Sequence, residues 1–262
     1  MSSESSRLTR KERHELILSE VRRSASIRIS KLARRIGVAG ETIRRDLIEL
    51  GEAGLINRTY GGATIPLMTS EPVIAERGLT MVEERARIGR GAASLIENGQ
   101  IVMIDGGSTT YEVARGLSQL KRELTIITNS IGVASVTGAN PSFRVILCPG
   151  TYDSREASVV GEDTVEFVRR YNADIAIIGA SSLSADGPSD MISGAAAVKR
   201  AMISRALSTA LVVTNDKFGR NSLERICALS ALSDIVTDRE PQPALRAVIE
   251  AAGTELHVCS GD

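Results

Sequence analysis

A chain of 262 residues, 42% hydrophobic and 24% charged, holds enough apolar material for two buried cores, and two domains are the expectation on size. Two histidines, His14 and His257, exclude a histidine-rich metal centre and most histidine acid–base chemistry, and three scattered cysteines, Cys148, Cys227 and Cys259, read as small buried side chains rather than a disulfide framework or a zinc site. The net charge of zero hides an asymmetry: residues 1–66 hold 13 Lys+Arg against 8 Asp+Glu, a net of +5, which leaves 32 − 13 = 19 against 32 − 8 = 24, a net of −5, for the rest. A basic head on an acidic body suits a protein that touches nucleic acid with one end only. No apolar run approaches the length of a membrane span and the N-terminus is polar, so the expectation is a cytoplasmic protein with no membrane partner.

Residues 10–23 read as a first helix, with Leu16, Ile17 and Val21 on or near one face. Ser30 is placed as the N-cap of a second helix, Lys31 to Arg35, with Leu32 and Ile36 inward and Gly37 as its stop. A third helix runs from about Glu41 to Ala53, with Ile43, Leu47 and Leu50 at helical spacing, and Glu41, Arg44 and Arg45 fall largely on the opposite face. Ala39 and Gly40 offer no side-chain acceptor at its start, while Gly54 is a good residue to end it. Leu55 to Thr64 alternates around Gly61 and Gly62 and reads as a two-stranded wing. A helix followed by a wing is the contact surface of a helix-turn-helix DNA-binding domain. A hydroxyl (Thr42) and two guanidinium groups near a helix N-terminus can meet base edges and phosphates at once. The candidate DNA contacts are Glu41, Thr42, Arg44 and Arg45, with Lys31 on the preceding helix and Arg58 on the wing.

Residues 67–82, with Pro72 and weak periodicity, read as a linker, and Glu83 to Asn98 as the helix that opens a second domain over 83–262. Short Val/Ile-rich runs follow at Ile101–Ile104, Leu124–Thr128, Arg144–Cys148, Asp174–Gly179, Ala210–Thr214, Asp234–Thr237 and Glu255–Cys259. Helical stretches near 109–119, 130–138, 162–171, 195–208 and 241–252 separate most of them. This alternation predicts an α/β domain, Rossmann-like, with a mainly parallel sheet and helices on both faces.

The strongest candidate for chemistry there is Asp105-Gly106-Gly107-Ser108-Thr109-Thr110, between a strand and a helix. Two glycines let the backbone approach a ligand, and three hydroxyls stand beside the N–H groups of a helix N-terminus, which favours a phosphate or carboxylate. It is neither a Walker A loop nor a dinucleotide fingerprint; the bland alternative is a plain strand-to-helix turn. Asn129 ends the next strand, with Ser130 available to cap the following helix. Lys217 ends a later one and is a suitable cation for an anionic ligand, although a solvated turn lysine is the ordinary reading. Lys199, on a helix, reads as a surface residue. Strand-end loops of a parallel sheet converge, so Asn129 and Lys217 are expected beside the Asp105–Thr110 loop. Asp105 would repel a phosphate at close range and is expected to bond sugar hydroxyls or hold the loop.

These motifs resemble the DeoR family of transcriptional regulators. The resemblance rests on Thr42-Ile43-Arg44-Arg45-Asp46-Leu47, Gly54-Leu55, Arg58 and Gly61-Gly62-Ala63 at one end. At the other it rests on Ile88-Gly89, the Asp105–Thr110 loop, Thr128-Asn129-Ser130, Gly161, Val198-Lys199-Arg200-Ala201-Met202 and Lys217-Phe218-Gly219. It implies a winged helix-turn-helix joined to a sugar-phosphate sensor similar in fold to sugar-phosphate isomerases, in a homo-oligomer, dimer or tetramer, that represses a carbohydrate operon and releases operator DNA when a phosphorylated sugar binds. No catalytic residue, metal or cofactor is implied. Three positions depart from the family pattern: Ala39 where serine is common, Ala195 in place of a glutamate, and Thr214 where aspartate is frequent. The missing carboxylates argue for an unusual effector and against isomerase turnover, which needs a carboxylate base. Two other readings stand beside this one: an isomerase-type enzyme with an appended basic helical domain, and a constitutive DNA binder whose second domain only assembles. Effector binding is expected to shift the segment 65–82 and so the spacing of two recognition helices.

Overall fold

The computed structural model describes residues 8–23, 26–52, 56–59, 61–64 and 74–261. The chain divides into two compact units, Met1–Thr69 and Ser70–Asp262. In the first, α1 (Arg10–Arg23), β1 (Ser26–Arg28), α2 (Ile29–Ile36) and α3 (Gly40–Glu52) are followed by β2 (Asn57–Thr59) and β3 (Gly62–Thr64). The expected apolar positions form the core: Ile17, Val21, Leu32, Ile43, Leu47 and Leu50, joined by Ile27 and Ile56.

Two local expectations are corrected. The wing has a third strand, because β1 pairs antiparallel with β3 in the order β1-β3-β2. That strand runs straight into α2, so the cap position falls at Arg28, in extended conformation and without a side-chain cap, and Ser30 lies inside the first turn. Gly37 ends α2 as expected: it takes φ 74°, where a Cβ would be strained, and its N–H donates to the Ala33 carbonyl at 2.9 Å. At the start of α3 the N–H groups of Thr42 and Ile43 donate to the Ala39 carbonyl at 3.0 and 3.2 Å, so backbone alone opens the helix. Ala53 and Gly54 lie outside the described residues.

The second unit opens with α4 (Ile74–Arg77) and α5 (Val82–Ser94). Then come β4 (Ile101–Ile104), α6 (Ser108–Ser118), β5 (Leu124–Thr128), α7 (Ile131–Gly138) and β6 (Phe143–Leu147). A hairpin of β7 (Thr151–Asp153) and β8 (Ser158–Val160) leads to α8 (Glu162–Arg169) and β9 (Ala173–Ile178). The chain continues through β10 (Ser182–Ser184), β11 (Gly187–Asp190), α9 (Ser193–Arg205), β12 (Ala206–Val212) and β13 (Glu224–Arg225), and ends with β14 (Asp234–Thr237), α10 (Pro243–Ala251) and β15 (Glu255–Val258). Seven strands form one parallel sheet in the order β15-β14-β12-β9-β4-β5-β6. Adjacent strand residues enter different cores, as a period of two requires: Val102, Ile104, Ile126 and Ile177 join one cluster, Met103, Ile127 and Ala176 another. The chain's first two crossovers run one way from β4 and the later ones run the other way from β9. The gap between β4 and β9 is therefore the topological switch point, where open α/β sheets hold their ligands.

The segment read as a linker is described only from Ile74, and from there it is tied to the second unit. The Ile74 N–H donates to the Arg155 carbonyl at 2.8 Å, Arg77 pairs with Glu156, and the Arg85 guanidinium donates to the carbonyls of Arg77 and Thr80. Strands β7, β8, β10, β11 and β13 were not expected. The three cysteines are free thiols, and burial pushes the Cys148 thiol up to about 12. Among the described residues no helix is long and apolar enough to cross a membrane.

Candidate functional site

Two surfaces carry the expected site residues, one in each unit. On α3 the apolar residues Ile43, Leu47 and Leu50 are buried, which leaves Glu41, Arg44 and Arg45 facing outward. Glu41 and Arg44 are 61% and 58% exposed and pair with each other at 2.6 Å, one helical turn apart. Arg45 is exposed and Thr42 half-buried on the same helix, and Lys31 is exposed on α2. Such an exposed pair is worth only about 0.5 kcal/mol, so Arg44 can exchange Glu41 for a phosphate or a base at little cost. Arg58 stands on β2 opposite Ala63; its side chain lies outside the described part of the structure.

Asp46, in the middle of the quoted motif, does something that sequence reasoning missed. It is buried at 3% exposure. It accepts from both the Nε and Nη2 of Arg13, the latter at 2.8 Å, and lies 3.2 Å from His14 Nε2. Burial opposes its ionisation, but the hydrogen bond and charge of Arg13, helped by His14, outweigh it and hold the carboxyl below its ordinary value. The pair ties α1 to α3 and so fixes the face that presents Arg44 and Arg45.

In the second unit the Asp105–Thr110 loop lines a cavity at the carboxyl ends of β4 and β9. Ser108, Thr109 and Thr110 form the first turn of α6, whose cap position, Gly107, has no side-chain cap. The first-turn N–H groups of a helix have no carbonyl one turn earlier, which makes this end a place for negative charge. The Thr110 hydroxyl donates to the Gly107 carbonyl at 3.0 Å. Gly106 is required by close approach: a Cβ there would lie 2.9 Å from Ser158 Cβ on the neighbouring hairpin.

Lys199 is the main correction. It is 3% exposed, and its Nζ lies 3.0 Å from Asp105 Oδ2 and 2.8 Å from Asp190 Oδ2. Burial works against its charge, but the two carboxylates overcome this and raise the ammonium above its ordinary value. Asp105 is pushed up by burial and by Asp190 and pulled down by Lys199, with a net rise. The Gly179 N–H contacts Asp105 at 3.4 Å, and the Ile192 N–H donates to Asp190 at 3.0 Å. The cavity therefore does not lack carboxylates, as the departures at Ala195 and Thr214 suggested; its two inner ones are both held by one ammonium. Ala195 lines the cavity, whereas Thr214 is fully buried and is not on its wall.

Lys217 reaches the cavity, and its Nζ donates to the Ala180 carbonyl at 2.6 Å. Asn129 does not reach it. It is buried beside β8, where its Nδ2 donates to the Val159 carbonyl at 3.0 Å, so it supports the hairpin that carries Ser158. The Ser130 hydroxyl caps α7 by accepting from Val133 N at 3.3 Å. Two wall residues, Arg77 and Glu156, come from α4 and from the tip of the β7–β8 hairpin. No motif marked them, because their neighbourhood is set by tertiary packing.

Comparison with known proteins adds the following. A family model described as the DeoR-like helix-turn-helix domain matches residues 13–69, and one described as the DeoR C terminal sensor domain matches residues 80–239. The glycerol-3-phosphate regulon repressor of Escherichia coli (strain K12) is 33% identical over 249 residues, covering 95% of this chain and 98% of the relative. The HTH-type transcriptional repressor GlcR of Bacillus subtilis (strain 168) is 31% identical over 252 residues, covering 96% of this chain and 97% of the relative. Among solved structures, ribose 5-phosphate isomerase A from Methanocaldococcus jannaschii aligns with a TM-score of 0.39 and 14% identity, covering 51% of this chain and 53% of the isomerase.

Proposed function

The chain belongs to the DeoR family of transcriptional regulators, and on that premise we propose how its two surfaces work together. It is a DNA-binding repressor responsive to a phosphorylated sugar or related metabolite, and not an isomerase. The operator is read by α3, with Arg44 and Arg45 at base edges and phosphates, Glu41 and Thr42 flanking them, and Lys31 and Arg58 on the sugar-phosphate backbone. It acts in the cytoplasm, where its operator is. One small helix-turn-helix covers too little DNA for useful specificity, so the working form is a homo-oligomer. The second unit carries the contacts between subunits, because the first, net +5 over residues 1–66, repels its own copy.

The effector site is the cavity at the switch point. The observation that carries this reading is the convergence there of an uncapped helix N-terminus, the Gly106–Gly107 backbone and Lys217. The α6 N–H groups and the Ser108 and Thr109 hydroxyls give an anion direction, and Lys217 gives it charge. Asp105 and Asp190, fixed by Lys199, present carboxylate oxygens to the hydroxyls of the effector rather than to its phosphate. The same fixation argues against turnover, since a carboxylate held by an ammonium is a poor general base. Gel shifts of DNA upstream of the neighbouring genes, run with a panel of phosphorylated sugars and polyols beside an isomerase assay, test the reading. Release by one phosphorylated compound without turnover supports it. Turnover, or binding to DNA that no compound in the panel relieves, overturns it.

A further inference from the structure

Six charged residues line the cavity, three of each sign: Asp105, Glu156 and Asp190 against Arg77, Lys199 and Lys217. The site is electrically balanced as it stands. A dianionic phosphate would leave it with two uncompensated negative charges, and withdrawal of one carboxylate would halve that excess. Asp105 and Asp190 cannot withdraw readily, since both are buried on the sheet side and share Lys199. Glu156 can, because it sits on the tip of the β7–β8 hairpin, between strands that end at Asp153 and resume at Ser158.

Size points the same way. The open space in the cavity is about 30 Å³. That is room for a water or two, and roughly a tenth of the smallest pockets that hold small-molecule ligands, about 300 Å³. A wall must move for a sugar phosphate to enter. Most of the wall is the loops that follow β4 and β9 together with α6 and α9; Arg77 on α4 and Glu156 on the hairpin tip stand apart from these and pair with each other, with side chains only 10% and 12% exposed. Both segments adjoin a non-glycine residue in the left-handed region, Ala157 at φ 47° next to Glu156 and Met81 at φ 48° after α4. Such residues persist only where surrounding contacts hold them, and they recur at switch segments.

We infer that the Arg77–Glu156 pair is a latch on the effector site, opened when the anionic group of the effector takes Arg77 from Glu156. The inference rests on the effector reading given above. Arg77 is then a ligand of the phosphate together with Lys217 and the α6 N-terminus. Its exchange of partners also loosens α4, which is otherwise held by the Ile74–Arg155 hydrogen bond and by Arg85 donating to the Arg77 and Thr80 carbonyls. In chain order α4 is the first described element after the DNA-binding unit, so the latch gives effector binding a handle on the segment that leads to it.

The test uses the full-length protein, calorimetry and amide hydrogen exchange, with glycerol 3-phosphate, ribose 5-phosphate, glucose 6-phosphate and inorganic phosphate as probes. Glu156→Gln removes the competing charge; the binding probe should gain affinity several-fold, and amides of residues 74–82 should exchange faster even without probe. In the parent the probe itself should speed exchange there. Arg77→Ala should weaken binding about tenfold or more, the weight of one charge-assisted hydrogen bond. Arg77→Lys, the gentler change, should weaken binding relative to the parent, by less than Arg77→Ala does. If a probe binds the parent but Glu156→Gln and Arg77→Lys both bind it as the parent does, the latch is refuted and the pocket stands. If no probe binds the parent, the pocket assignment fails and the latch falls with it.

Discussion

Replacing Lys199 with methionine removes the one ammonium that holds two buried carboxylates, and the size of the effect follows from the geometry. At 3.0 and 2.8 Å, and with an effective dielectric constant of about 20, each attraction is worth roughly 6 kcal/mol before desolvation is counted. Burying the ammonium offsets most of this, and removal of one partner from a buried ion pair costs about 3–5 kcal/mol. For a unit of this size the melting temperature should drop by roughly 6–20 °C. The loss should also depend on pH. Without Lys199, Asp105 is left beside Asp190 in a buried site with its main compensating charge gone, and its carboxyl, already above the ordinary value in the parent, rises further. A carboxyl raised in the folded state destabilises most when pH exceeds the folded value, and that penalty fades as pH falls toward the unfolded value. Urea unfolding of parent and Lys199→Met at pH 7 and pH 5 measures both effects. A loss below about 1 kcal/mol at pH 7, or a loss that does not shrink at pH 5, would refute the claim that this lysine neutralises a buried pair.

Three further outcomes follow from the other elements. Arg45→Ala should cost operator affinity about 1–3 kcal/mol if it reads a base, while Arg44→Ala, if it meets phosphate, should weaken all sequences alike and flatten the salt dependence; anisotropy titrations at two salt concentrations separate the two. Asp46→Asn should destabilise the first unit by about 1–3 kcal/mol, because Arg13 loses its charged partner. The parent's Asp46 carboxyl is depressed, so its contribution is present above the unfolded carboxyl value and is lost as pH falls through the lower folded value. Acid melts that show the same stability difference between parent and Asp46→Asn at every pH would contradict this. Gly106→Ala places a Cβ 2.9 Å from Ser158 Cβ, so it should push the hairpin off the loop and weaken effector binding while DNA binding persists, a difference that calorimetry and gel shifts read separately.

The helices of the first unit and the parallel sheet of the second were legible because burial imposes a period: Ile43, Leu47 and Leu50 on α3, Val- and Ile-rich runs on β4, β5 and β9. Errors arose where tertiary pairing sets the local structure. Ser30 has the chemistry of a cap, but β1 pairs with β3 and carries the cap position back to Arg28. A lysine on α9 reads as solvated by default; only its setting among Ala195, Ala196, Val198 and Met202 marks it as buried, and its partner Asp105 is remote in sequence. Asn129 has the donors of a ligand contact, yet the unexpected β8 claims its amide. The loop Asp105–Thr110 was legible because glycines and hydroxyls at a strand end have a local meaning. Arg77 and Glu156 were not, because nothing in either short segment announces the other.

The most direct measurement titrates a complex of the parent protein and its labelled operator with matched pairs of compounds, each sugar or polyol with and without its phosphate, and repeats the titration with Ser108→Ala and Lys217→Ala. The account predicts that one phosphorylated member releases the DNA, that its unphosphorylated counterpart does not, and that both variants need several-fold more of it. Release by an unphosphorylated compound, or release from both variants at the parent's concentration, would contradict an anion-sensing site at the end of β4.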